Sequence, residues 1–156
     1  MSGLKRQLRV LDDDDGPWMR VAFATSDRHT VDQHFGSACS FAVYGVDVNR
    51  YRLLNVAEFG ALDNDTDDKL AERLQLLENC IAVYCRACGA SAVRQLLERG
   101  IQPVKVTEGA LISDLLGSLQ QELRDGPSSW LAKAIRRNGL HQHLRFEPIE
   151  SEGWIE

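Results

Sequence analysis

Cys85-Arg86-Ala87-Cys88 is a Cys-x-x-Cys lying between a short apolar run and a helical pattern. The start of a helix favours thiolate over thiol, because its free N–H groups and dipole stabilise negative charge; thiolate is the form that binds metals and attacks disulfides. One such pair falls short of the four ligands of a structural zinc site. It fits a thioredoxin-like redox motif, and equally two small buried residues at a tight turn, since free cysteine is often buried. His34, in Asp32-Gln33-His34-Phe35-Gly36, stands in a polar loop and can offer a neutral imidazole to a metal. Taken alone it reads as a loop histidine with one backbone hydrogen bond. Arg28, His29 and Arg86 put positive charge beside these groups, which suits an anionic ligand or an ordinary solvated surface. Cys39 is expected in the core rather than at a ligand rim, Cys80 reads as packing, and His141 and His143 read as surface residues.

The elements that must position these residues follow from periodicity. Residues 20–25 and 81–84 are short apolar runs that predict buried strands, and 39–48 with 52–59 predict an antiparallel hairpin. Residues 101–106 predict another strand, placed at an edge by Pro103. Leu70, Leu74 and Leu77 mark one helix face; Ala90, Val93 and Leu97 mark a second, closed by Gly100 at C′. Leu111 or Ile112, with Leu115, Leu119 and Leu123, marks a third, and Ser128 caps a short basic helix. The order is therefore three strands, then helix, strand, helix, strand, helix, and a final short helix. Right-handed crossovers and neighbouring placement give a mixed five-stranded sheet of order 3-2-1-4-5 with flanking helices, the ribonuclease H-like α/β arrangement. Ligands of open α/β sheets sit beyond the carboxyl ends of strands, where the strand order switches. That switch lies between strands one and four, so the His34 loop and the Cys85–Cys88 turn are expected on one rim.

Composition excludes several classes. A chain of 156 residues, 44% hydrophobic and 26% charged, suggests one domain with a substantial core. No apolar run approaches the ~20 residues a bilayer needs. The N-terminus has no apolar h-region, so no secretory signal is expected; a cytoplasmic chain with reduced cysteines is the reading. Eighteen basic against 23 acidic residues leave a formal charge of −5, which argues against nucleic acid as a partner. There is no Gly-rich phosphate loop and no Gly-x-Ser-x-Gly elbow. The first strand lacks the carboxylates of a two-metal nuclease. The run Asp12 to Asp15 marks residues 1–19 as a flexible acidic leader, ahead of a domain over 20–137 and a tail over 138–156.

Three segments together carry a family resemblance: Val21-Ala22-Phe23-Ala24-Thr25-Ser26-Asp27, Val31-Asp32-Gln33-His34-Phe35-Gly36-Ser37 and Val83-Tyr84-Cys85-Arg86-Ala87-Cys88-Gly89-Ala90-Ser91-Ala92. With them the chain, from about residue 20 to about 137, resembles the nitrogenase iron–molybdenum cofactor-binding family. The resemblance implies the ribonuclease H-like fold reached above. It also implies a non-catalytic prokaryotic carrier of an iron–sulfur precursor of the iron–molybdenum cofactor, or of the cofactor itself. The implied partners are a cofactor-synthesis protein and a cofactor scaffold protein, with neither nucleic acid nor membrane. It implies His34, Cys85 and Cys88 as metal ligands, and an anionic cluster would gain from Arg28, His29 and Arg86. The rival class is a small thiol–disulfide oxidoreductase using Cys85 and Cys88; a third is a metal-free binding module.

Overall fold

The computed structural model describes residues 4–9, 19–59 and 66–137. Ten regular elements follow in order: β1 (Leu4–Arg9), β2 (Met19–Ala24), β3 (Ser40–Val46), β4 (Tyr51–Phe59), α1 (Thr66–Leu76), β5 (Cys80–Cys85), α2 (Ala90–Glu98), β6 (Gln102–Lys105), α3 (Ile112–Asp125) and α4 (Ser129–Arg137). They build one six-stranded sheet of order β1-β4-β3-β2-β5-β6. Its last five members, β4 to β6, reproduce the expected 3-2-1-4-5 order. Leu4–Arg9 is a correction: these six residues are not a loose leader but an outer strand, paired antiparallel with β4. The aspartate run, His141 and His143 lie outside the described residues.

Alternation along the central strand creates two cores. Val21 and Phe23 of β2 face one side, where Ile112, Leu116, Leu119 and Leu123 of α3 and Leu131 of α4 cover them. Ala22 and Ala24 face the other, toward Leu74 of α1, Leu77 just past its end, and Ala92 and Leu96 of α2. The small residues on that side let the helices approach, while Phe23 fills the first core, stacked on Tyr84 at 4.9 Å and edge-on to Tyr44 at 5.7 Å. β2 runs antiparallel to β3 and parallel to β5. A register shift leaves Ile81 without a partner on β2, so Ile81 and Ala82 both enter the first core.

Two helix faces differ from expectation. In α2 the buried pair is Ala92 and Leu96, whereas Leu97 is 50% exposed. The segment carries two overlapping apolar stripes, and packing on the sheet selects the one that includes Leu96. In α3 the face runs through Ile112, Leu116, Leu119 and Leu123, with Leu115 at its margin and Leu111 exposed. Gly100 does occupy C′ of α2: its φ is 80°, its N–H bonds Leu97 O, and Ile101 N–H reaches back to Leu96 O at 2.9 Å. That paired arrangement satisfies the last carbonyls and brings Ile101 against Leu96. β6 is the edge strand, where the missing N–H of Pro103 is tolerated. Among the described residues no helix is long and apolar enough to cross a membrane.

Leu119→Ala should lower the unfolding free energy by about 2–5 kcal/mol, because the site is buried and collapses only in part. Urea denaturation measures it, and an unchanged midpoint would contradict the packing of α3 on β2.

Candidate functional site

The loop from Thr25 to Cys39 is polar yet closely knit. The Asp27 carboxylate accepts the backbone N–H groups of His29 and Thr30, both at 2.8 Å, and the hydroxyls of Thr25 and Thr30. The Thr25 hydroxyl in turn accepts Arg28 N–H at 2.9 Å, and Arg28 adopts a left-handed φ of 65°. Asp32 accepts Ser26 N–H at 2.9 Å and its hydroxyl at 2.6 Å. The two N–H bonds from Thr30 and His29 hold the Asp27 carboxyl at about 2, below its ordinary 3.8. Apolar anchors fix the loop to the domain: Val31 and Phe35 are buried, with Phe35 5.6 Å from Phe41. Arg73 of α1, 2% exposed, donates from Nη2 to Ala38 O and lies 4.3 Å over the Phe59 ring.

Backbone pairing joins this loop to the cysteine turn. Phe35 N–H donates to Ala87 O at 2.8 Å and Arg86 N–H donates to Gln33 O at 2.9 Å, which makes His34 and Ala87 a parallel β-bridge. His34 is exposed, one peptide across from the residue that precedes Cys88. The expected meeting of the two segments is thus present. A third segment, residues 106–111, completes the rim and was not anticipated. Val106 N–H bonds Cys85 O at 3.0 Å, Val31 N–H bonds Ala110 O at 3.0 Å, and Ile112 N–H bonds His29 O at 2.8 Å. Its turn places Gly109 at φ 87°, a conformation open to glycine.

The paired thiols are unequal. Cys85 is fully buried and Cys88 partly exposed. Cys85 donates its proton toward Cys88, and this bond with burial pushes the Cys85 thiol far up. The same bond brings the Cys88 thiol down, with Lys105 favouring thiolate at both positions. Cys88 is therefore the more accessible thiol of the pair and the one at which thiolate is favoured. Cys80 is buried, which pushes its thiol up to about 12 and fits its expected packing role. Cys39 is a correction: it is exposed rather than in the core, with its N–H and thiol both directed at Gln33 Oε1, at 3.1 and 3.3 Å. It immediately precedes β3, where Ser40 takes the inward position and bonds Thr25 O.

The cationic residues are distributed less simply. Arg28 lies 3.8 Å from Glu58 of β4. His29 is exposed, tied to α3 through its carbonyl. Arg86 is partly buried, and its Nε finds no hydrogen-bond partner among the described residues. Also among the described residues, no three His, Cys, Asp or Glu side chains converge so as to hold a metal ion. Lys105, the last residue of β6 and opposite Cys85 in register, was missed. Reading the carboxyl ends of every strand, rather than the two at the switch alone, would have found it.

Fold and rim define an α/β domain of ribonuclease H-like order with a loop-built site at the strand switch. The family model described as dinitrogenase iron-molybdenum cofactor matches residues 17–122, and the chain belongs to that family, as a NifX-type member. It is 58% identical to the Protein NifX of Azotobacter vinelandii over the full length of both chains. It is 35% identical to the Protein NifX of Klebsiella pneumoniae, across 88% of this chain and 83% of that one. The crystal structure of PH0822 shares the fold, with a TM-score of 0.51 at 21% identity over 66% of this chain and 89% of that one. The setting is iron–molybdenum cofactor biosynthesis in nitrogen fixation.

Alkylation under native conditions at neutral pH should modify Cys39 and Cys88 while sparing Cys80 and Cys85 until the chain unfolds. Peptide mass spectrometry reads the order, and modification of Cys85 ahead of Cys88 would contradict the inequality of the two thiols. The depressed Asp27 value implies that its contribution to loop order is full above about pH 4 and is lost as pH falls through about 2. A carboxyl NMR titration with an ordinary midpoint would contradict the hydrogen bonds drawn to it.

Proposed function

We propose that the chain is a carrier that receives an iron–sulfur precursor of the iron–molybdenum cofactor, or the finished cofactor, from a cofactor-synthesis protein and passes it to a cofactor scaffold protein. It holds the cargo without transforming it and works in the prokaryotic cytoplasm. The observation that supports this most directly is the backbone pairing of Gln33–Phe35 with Arg86–Ala87, which sets exposed His34 opposite Ala87, the neighbour in sequence of the partly exposed Cys88. Iron–sulfur clusters take thiolate, and in some centres imidazole, at their iron atoms. A multi-iron cargo meets separate ligands at separate irons, so it does not need three side chains converging on a point. His34 and Cys88 are its ligands; Cys85 is a third, a second thiol available after deprotonation. Few ligands on an open rim also suit a protein that must release what it holds.

The inequality of Cys85 and Cys88 favours a second reading, a thiol–disulfide oxidoreductase in which Cys88 attacks and Cys85 resolves. One preparation separates the two. After anaerobic incubation with a cluster donor and removal of the donor, a carrier is brown and contains iron. An oxidoreductase is colourless and reduces a model disulfide. His34→Ala should reduce the retained iron several-fold while leaving the circular dichroism spectrum intact. Full retention in that variant would remove His34 from the site.

A further inference from the structure

An anionic cargo needs local positive charge in a chain whose formal charge is −5. Arg28, a natural candidate, is directed at Glu58. Lys105 is better placed. The parallel pairing of β5 with β6 matches Tyr84 with Val104 and Cys85 with Lys105. Val104 packs into the first core together with Tyr84. Alternation then turns Lys105 to the opposite face, the one on which Cys85 is buried and against which Cys88 packs. Lys105 is the terminal residue of its strand, so it stands at the carboxyl rim, and the Val106 N–H bond to Cys85 O fixes its height relative to the thiols. It is exposed, and no carboxylate of the described residues is paired with it.

We infer that Lys105 is an anion-binding residue of the cargo site, whose ammonium contacts a negatively charged iron–sulfur cluster held beside Cys88. The inference rests on the carrier reading. It extends that reading by naming the cation that takes the role expected of Arg28 and by specifying a cargo with net negative charge. Lysine suits the task as a compact charge on a flexible stem, able to follow the cargo in and let it go.

The test uses the full chain and a synthetic tetrairon–tetrasulfide cluster bearing thiolate ligands, a dianion, under anaerobic conditions. Binding is followed by visible absorption at low and high salt for the unaltered chain, Lys105→Gln, Lys105→Arg and His34→Ala. Lys133→Gln, at an exposed position on α4, which packs on the opposite face of the sheet from Cys85, matches the change in net charge. Lys105→Gln should bind the cluster on the order of tenfold more weakly and with a flatter salt dependence. Lys105→Arg and Lys133→Gln should bind like the unaltered chain. Equal binding by Lys105→Gln, with His34→Ala still impaired, would overturn the assignment of Lys105 and leave the carrier reading standing. A loss in Lys105→Arg as large as in Lys105→Gln would also overturn it, since charge would not be the cause. Failure of the unaltered chain to take up the cluster would overturn both.

Discussion

β2 and β5 run parallel, side by side, and each is buried on both faces. Parallel neighbours end at the same edge, and chains buried on both sides cannot slide or flip without exposing a core. The loops that leave β2 and β5 must therefore emerge together. Two aromatic residues secure the arrangement from inside, Phe23 of β2 stacking on Tyr84 of β5. All the chemistry at the rim depends on this one pairing, since His34 and Cys88 lie far apart in sequence and make no local contact that could bring them together.

From that constraint the rim is built largely of main chain. Residues 33–35 pair with 86–87, residues 29–31 pair with 110–112, and Cys85 receives Val106. Side chains are thus released from holding the loops and left available to a ligand. The polar side chains that do work structurally, Asp27 and Asp32, are occupied within their own loop. Buried Phe35 and Arg73 hold the loop down from below. The result is a firm base carrying exposed groups, a geometry suited to gripping and releasing a cargo more than to enclosing a substrate.

Charge follows the same division. Burial keeps Cys80 as a thiol, and the hydrogen bond to Cys88, with burial, does the same for Cys85; that bond and the nearby Lys105 favour thiolate at Cys88. Two adjacent cysteines of one motif therefore have opposite characters. Spacing cannot distinguish them, because the difference comes from depth and from a lysine on another strand.

The amino-acid sequence by itself determined the order of elements, the five-strand arrangement, the C′ role of Gly100, the edge position of Pro103 and the meeting of the His34 loop with Cys85 and Cys88. These depend on periodicity, backbone stereochemistry and chain connectivity, all of which are local or topological. The tertiary structure decided the rest. It selected Leu96 over Leu97 in α2, recruited Leu4–Arg9 as a sixth strand and turned Cys39 outward. It also paired Arg28 with Glu58 and brought Lys105 and residues 106–111 to the rim. Each of those outcomes depends on which of several similar residues meets a distant neighbour, and such contacts leave no periodic mark along the chain.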